Sequence, residues 1–443
     1  MSTTPLLDRT PSVRTRPAWV VTLLSWLIVV FDGYDLIVYG TTLPNLLQEK
    51  DWGLTPTTAG FIGSLAFAGM LVGALGAGLL ADKLGRRRTI LWATLWFSLF
   101  TALCAFAPSP EVFGLFRFLA GLGLGGLVPS ANALTSEFVS RKHRSAVSTI
   151  MMSGVPIGGS AAALLGLWML PEFGWRSMYA VAFLAVLVLL PVCFALLPES
   201  PTWLRAHGRV EEAVRVEERY GLAHDPSEHP EEEHAPGFGT ILRGQWLRPT
   251  VLFAAATVAT LFAWYGLGTW LPKLMGSDAR FDMGKPLYFL LALNLGAVLG
   301  SVVTAWAGVR FGPLKSAIGA AAVAALGLAY LLTYPSDVLP IYAAIILAGV
   351  GTHGTQCLII AAVASHYPPK LRGTSLGFAL GVGRLGAVLA PQVGGLLLDA
   401  DLGVGSNFLA FSLAAALAAV LLFVTFTATK PAAGAQRVVP IGH

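Results

Sequence analysis

Apolar residues fall in long blocks along the chain, separated by short polar connectors. Crossing hydrocarbon takes roughly 20 mostly apolar residues. Twelve blocks meet that length: 19–41, 57–80, 89–107, 111–134, 146–169, 176–197, 249–272, 286–307, 314–333, 338–362, 373–397 and 406–428. Glycine and proline inside them do not argue against helix, because helix bundles in membranes tolerate both. The pattern predicts an all-α integral membrane protein with twelve transmembrane helices. One connector, 198–248, is long and divides the helices six and six. The expected organisation is an N-terminal tail over 1–18, a six-helix bundle over 19–197, a linker over 198–248, a second bundle over 249–428 and a tail over 429–443. Within the linker, 209–219 has the pattern of a short amphipathic helix on the membrane face, and EHPEEEH reads as a solvated run.

Composition agrees. Of 443 residues, 55% are hydrophobic and 12% charged, against about 25% charged in an ordinary soluble domain. The net charge of +5 would suggest nucleic acid in a soluble protein. Here the bases sit in alternate connectors, so they read as topology. One set holds Arg9, Arg14 and Arg16; Lys83, Arg86, Arg87 and Arg88; Arg141, Lys142 and Arg144; Arg310 and Lys315; Lys370 and Arg372; and Lys430 and Arg437. The other connectors are poorer in base, and only 273–285 mixes signs, with Lys273, Asp278, Arg280, Asp282 and Lys285. This arrangement puts both termini in the cytoplasm, as an even span count requires. The first block is too long for a removable signal peptide and is expected to stay as a helix. Cys104, Cys193 and Cys357 lie singly in apolar blocks and read as core thiols. His224, His229 and His234 recur among acids, but a flexible acidic loop is the better reading than a metal site. No cofactor or metal is expected.

The informative exceptions are charges inside the blocks. Asp32 and Asp35 share one face of the first helix at bilayer depth, where a carboxylate is expensive and marks function by default. They are candidates for binding a proton on one side and releasing it on the other, as a coupled pair. A permanently paired structural network would use the same residues. Arg117 in FGLFRFLAGLG and Arg384 in ALGVGRLGAVL offer planar forks suited to a carboxylate. Either can hold a substrate acid or one of the aspartates, and a helix-packing ion pair is the plain alternative. Tyr34, Tyr39, Trp264, Tyr265, Asn294, His353 and Gln356 form a polar aromatic set suited to line a cavity. His353 is the one histidine within a predicted block. Trp52 and Trp270 read as interface anchors, and Pro156 as a kink in the fifth span. Gly121, Gly123, Gly125, Gly126, Gly154, Gly158 and Gly159 permit close, shifting helix contacts.

The two halves carry related punctuation. GLLADKLGRRR follows the second span and AWAGVRFGPLK the eighth; GVPIGG lies in the fifth and GRLGAVLAPQVGG in the eleventh. GLLADKLGRRR resembles the signature between helices two and three of the major facilitator superfamily. RFLAGLGLGG, GVPIGG and PESPTWL are similar to its fourth-helix, fifth-helix and sixth-helix-end patterns. More narrowly, DGYDLIVYG, YGLGTWLPKLM and GRLGAVLAPQVGG resemble the first, seventh and eleventh helices of the aromatic acid:proton symporters, bacterial carriers of benzoate, hydroxybenzoates, protocatechuate or gentisate.

The resemblance implies two pseudo-symmetric bundles rocking around a central site, in a bacterial inner membrane, with the first-helix acids required for transport. It favours Arg117 for proton coupling and leaves Arg384 for substrate or gate. Gly78, Asp82, Gly85, Arg86, Arg87 and Arg88 become the expected cytoplasmic gate. Expected partners are a small aromatic carboxylate, protons and membrane lipids, with no nucleic acid and a functional monomer. The second half departs from the signature, with Val309 at the place of Asp82 and Ala305 at that of Gly78. Another organic acid, a sugar-like solute and drug/proton antiport stay open. A membrane enzyme lacks any metal motif, nucleophile elbow or phosphate loop, and the doubled architecture argues against a receptor without transport.

Overall fold

The computed structural model describes residues 17–140, 143–222, 237–281 and 285–428. Arg9, Arg14, Arg16, Arg141, Lys142, His224, His229, His234, Asp282, Lys430 and Arg437 lie outside the described residues. Helices account for nearly all of the rest. They are α1 (Trp19–Leu46), α2 (Pro56–Leu84), α3 (Arg86–Leu103), α4 (Pro110–Leu124), α5 (Leu127–Glu137), α6 (Arg144–Ala180), α7 (Leu190–Leu196), α8 (Pro201–Ala206), α9 (Val210–Tyr220), α10 (Phe238–Ile241), α11 (Leu247–Ser277), α12 (Leu287–Phe311), α13 (Pro313–Leu331), α14 (Val338–His366), α15 (Pro369–Asp399) and α16 (Val404–Ala428).

Local chemistry sets the ends. Thr55 caps α2 in a reciprocal capping box with Thr58, and Pro56 takes the first helical position. At α4 the Ser109 hydroxyl accepts from the Val112 amide, and Pro110 takes the first helical position. Gly85 and Gly312 make the turns α2–α3 and α12–α13, at φ 92° and 90°, a region that suits glycine. These are the corresponding glycines of GLLADKLGRRR and AWAGVRFGPLK, so the punctuation repeats in the backbone as well as the sequence.

Eleven helices among the described residues are long and apolar enough to cross a membrane; α4 and α5 count as one such stretch over Pro110–Glu137. The predicted block 176–197 is the exception. Its start lies at the end of α6, a turn follows at 181–182, and residues 185–189 are wound as π-helix before α7. Pro191 explains the winding: it has no N–H for the preceding turn, so the ladder rearranges just before it. The long α6 breaks at Gly174 (φ 72°, ψ 173°), and Pro156 lies within its helical run.

Both predicted anchor tryptophans are instead interior. Trp270 is fully buried and donates to the Pro391 carbonyl at 2.9 Å. Trp52 packs edge-on against Trp175, at 5.1 Å between centroids. An indole whose N–H finds a carbonyl inside the protein has no need of the interface.

Helices from before and after the linker meet chiefly as α1 on α11, α2 on α15 and α6 on α12. The contacts are tight at one end, marked by Asp399. There the Thr57 amide donates to the Asp399 carboxylate at 3.0 Å, and Ser64 Oγ donates to the Val388 carbonyl at 2.6 Å. Gly60 lies on the Pro391 backbone, Gly395 on Pro56, and Gly40 on Gly268. Toward the other end, marked by Arg86, α2 and α15 diverge, and open space surrounds Gly76, Gly78, Gly373, Gly377 and Gly381. The helices enclose a V that opens at the Arg86 end.

Gly40→Val should therefore wedge α1 off α11, because its Cβ meets the Gly268 carbonyl. Overpacking of this kind costs about 1–3 kcal/mol. Thermal unfolding of purified protein should show a drop of several degrees for Gly40→Val, and little change for Gly76→Val at the open end.

Candidate functional site

Asp35 lies near the middle of α1 and is 1% exposed. Its Oδ1 accepts from Arg117 at 2.7 Å and from the Thr101 hydroxyl at 2.5 Å; the same guanidinium donates to the Asp35 carbonyl at 3.1 Å. Arg117 on α4 is equally buried, at 2%. The pair thus joins α1, α3 and α4 with matched charge. Asp35 Oδ2 and Arg117 Nε have no hydrogen-bond partner among the described residues. A desolvated pair that is satisfied on one side only is weak evidence for stability and good ground for looking to function.

Asp32, one turn earlier, is also 1% exposed but has no such guanidinium bonded to it. Its Oδ1 accepts no hydrogen bond from the described residues. The charges that act on it are Asp35 and, from across the chain, Arg384 on α15. Arg384 donates to the Gly125 carbonyl at 3.2 Å, at the break between α4 and α5. Tyr265 on α11 shares the field of Asp32 and Arg384, and its ring stacks at a tilt on Phe67 of α2, at 4.5 Å. Asp32, Arg384, Tyr265 and Phe67 thus come from both halves of the chain to one place between them.

The remaining predicted residues divide. Trp264 and His353 face each other, with ring centroids at 5.3 Å. His353 Nε2 lies 3.8 Å from Cys357 Sγ. Asn294 is fully buried on α12; its amide donates to the Leu290 carbonyl at 2.8 Å, while Oδ1 lies unpaired against Gly159 of α6. Gln356 Oε1 likewise has no partner among the described residues. Tyr34 and Tyr39 are tied off elsewhere: Tyr34 donates to the Met178 carbonyl at 2.7 Å and Tyr39 to the Ala59 carbonyl at 2.5 Å. His366 ends α14, buried against Phe253, so His353 is not alone within the helix that carries it.

At the Arg86 end, Arg86 forms an ion pair with Glu137 at the end of α5. Glu137 also accepts from Ser200 Oγ at 2.7 Å and from the Thr202 amide at 3.2 Å. Glu199 accepts from the Arg87 amide at 2.9 Å, and Trp203 donates to the Asp82 carbonyl at 2.8 Å. Gly85 leaves room for the Glu199 carboxylate, which a Cβ would strike. Gly78 lies in the open V, and Asp82 and Arg88 are exposed. All these partners belong to α2, α3, α5 and the start of the linker.

The model of the Major Facilitator Superfamily matches residues 25–391 and 287–440. The chain belongs to that superfamily. Among curated proteins, the gentisate transporter of Corynebacterium glutamicum is 52% identical over 411 residues, covering 92% of this chain and 87% of the relative. The benzoate transport protein of Acinetobacter baylyi is 38% identical over 420 residues, covering 91% and 89%. The partially occluded, inward-open structure of the xylose transporter XylE from E. coli superposes with a TM-score of 0.77 at 17% identity, covering 94% of this chain and all of that one. That likeness shows the fold. The chain is thus a transporter-family protein related to the superfamily's aromatic acid carriers.

Within this major facilitator frame, several contributors escaped the sequence. Thr101 sits in FTALCAF with nothing to mark it as the partner of Asp35. The Gly125 carbonyl is backbone. Glu137 did carry a signal, as an acid at the basic end of a span, and PESPTWL had matched the superfamily without a role for Ser200 or Trp203.

Removing one member of a buried ion pair costs about 3–5 kcal/mol, because the other charge is left uncompensated. Arg117→Met should therefore lower the thermal midpoint far more than Asp35→Asn/Arg117→Met does. Equal losses from both variants, measured by tryptophan fluorescence on heating, would show that the pair carries no coupled charge.

Proposed function

We propose that the protein is a proton-coupled symporter that imports a monocyclic aromatic carboxylate by alternating access. Its relatives named as gentisate and benzoate transporters support the substrate class. One observation in the structure carries the mechanism: the unequal standing of the two buried acids. The charge of Asp35 is matched by Arg117 at 2.7 Å. Asp32 has no bonded guanidinium, and Arg384 forms no ion pair among the described residues, spending one hydrogen bond on a carbonyl.

Asp32 is therefore the carboxyl whose charge has to be met by a proton, and Arg384 the fork open to a substrate carboxylate. An anion entering with at least one proton crosses with its charge offset. Tyr265 and Phe67 offer ring faces beside Arg384. Trp264, His353, Asn294 and Gln356 line the second-half side, where the unpaired amide oxygens of Asn294 and Gln356 suit ring hydroxyl donors. Tyr34 and Tyr39 serve as braces of α1.

The finer organisation belongs to the same proposal. Residues 19–197 and 249–428 act as two six-helix bundles, with the broken segment 183–196 serving as the end of a twelfth span. Residues 1–18, the linker 198–248 and the tail 429–443 are cytoplasmic, in a bacterial inner membrane, and the working unit is a monomer. The Arg86 end is then cytoplasmic, and the V describes an inward-facing state. Gly78, Asp82, Gly85, Arg86, Arg87 and Arg88 form the gate that closes this end.

Uptake into proteoliposomes tests the proposal. Labelled gentisate or benzoate should accumulate under an inward proton gradient, and benzoate, but not benzamide or xylose, should compete. Competition by xylose equal to that by benzoate would overturn the substrate class. Asp32→Asn should cut gradient-driven accumulation about tenfold or more at normal abundance, as expected for an intramembrane acid in a proton path. Arg384→Gln should weaken equilibrium binding of benzoate as well.

The gate is separable from the site. Asp82→Asn or Arg86→Ala should reduce turnover more than binding, measured as transport rate beside equilibrium binding of labelled benzoate. A large loss of affinity at unchanged maximal rate would refute the gate.

A further inference from the structure

A second strongly charged cavity lies away from the central residues. Of about 360 Å³, it sits where the start of α3, the end of α7 and one face of α9 come together. Arg87, Arg88, Arg209, Arg215 and Arg219 line it, against two carboxylates, Glu199 and Glu212. Those carboxylates are already engaged. Glu199 accepts from the Arg87 and Ser200 amides, and Glu212 is held by Arg209 through two contacts of 2.7 Å. Among the described residues Arg88 and Arg219 have no carboxylate partner, and Arg87 Nε is buried without one. The cavity therefore carries surplus positive charge on donors whose planar geometry fits phosphate oxygens.

What adjoins the cavity decides the source of the anion. Arg88, Trp92, Trp96 and Leu99 fall on one exposed face of α3. One turn beyond Arg88, an apolar groove of about 360 Å³ opens between α2, α3 and α4, walled by Gly73, Ala77, Leu80, Trp92 and Trp96. Beside the basic cavity Phe194 is exposed, with the Arg87 guanidinium 5.2 Å over its ring. A basic chamber at the start of α3, with an apolar groove one turn further along the same helix, suits a molecule with a charged head and a hydrocarbon chain. Basic pockets at the cytoplasmic ends of transmembrane helices bind anionic lipid head groups on this logic. We infer that the protein holds an anionic phospholipid, its phosphodiester in the cavity of Arg87, Arg88, Arg215 and Arg219 and an acyl chain along the Trp92–Trp96 groove.

Full-length protein in nanodiscs of phosphatidylcholine, with or without phosphatidylglycerol, tests the inference. Phosphatidylglycerol should raise the unfolding midpoint of the unaltered protein by about 2–4 °C, the scale of a ligand that binds only the folded state. Arg215→Gln/Arg219→Gln should lose most of that shift, and native mass spectrometry should show fewer retained phosphatidylglycerol molecules. Glu212→Gln, which frees Arg209, should enlarge the shift; this arm decides the matter if the double variant is unstable in phosphatidylcholine alone. Retention of the full shift by the double variant, or its absence from the unaltered protein, would overturn the site. An equal shift from inorganic phosphate or glycerol phosphate would overturn the lipid in favour of a free anion. Trp92→Ala should weaken the response to phosphatidylglycerol and leave any response to glycerol phosphate unchanged.

Discussion

The buried Asp35–Arg117 contact constrains the rest of the molecule. An unmatched charge at that depth is too costly to keep, so α1, α3 and α4 are held wherever the carboxylate, the guanidinium and the Thr101 hydroxyl can meet. That fixes the rotation of α1. Residues three apart on a helix differ by roughly 60° around its axis. Once Asp35 faces α3 and α4, Asp32 is turned toward the boundary between the two halves, where Arg384 and Tyr265 act on it. Two acids of the same type on one helix face thereby acquire different surroundings. One is anchored within the first half; the other lies where movement of the second half changes its environment.

Movement needs an interface that can part. At the Asp399 end the halves touch largely through backbone: Gly40 on Gly268, Gly60 on Pro391, Gly395 on Pro56. Such contacts bring helices close without interdigitated side chains, so they separate without rotamer changes in a packed core. One hydrogen bond from the Thr57 amide to Asp399 seals the rim. The glycines at the Arg86 end of the same helices, Gly76, Gly78, Gly373 and Gly377, face open space. They are the small surfaces needed for a matching approach there.

Much of the fold was legible because hydrocarbon imposes a simple code of length and apolarity. The code failed where a local backbone feature overrode it. The block 176–197 is apolar enough, yet a turn at 181–182 interrupts it, and the helical run that follows passes through a π-wound turn just before Pro191. Trp52 and Trp270 sit near span ends, and position alone cannot distinguish an interface anchor from an indole packed in the interior. At the site, the charged members stood out because each is expensive where it lies. Their partners did not, since Thr101 is an ordinary residue in an apolar run and the Gly125 carbonyl has no side chain. Tyr34 and Tyr39 lie beside the acids in sequence, and their hydroxyls donate to the Met178 and Ala59 carbonyls, partners that the sequence does not mark.

The network at the Arg86 end ties the start of the linker to the first half of the chain. Glu137 binds Arg86, Ser200 and Thr202 together, Trp203 holds the end of α2, and Arg205 pairs with Glu217 of α9. Tyr220 closes the set on the Leu196 carbonyl. The start of the linker is therefore bound to the first half as part of one body, and the arginine cavity is built entirely within that body. A ligand shifts a conformational equilibrium only by its differential affinity for the two states. An anion seated among Arg87, Arg88, Arg215 and Arg219 touches one side of the rocking interface, so its direct effect is to stiffen that side. It would bias the direction of opening only through Arg87 and Arg88, the residues that the cavity shares with the proposed gate.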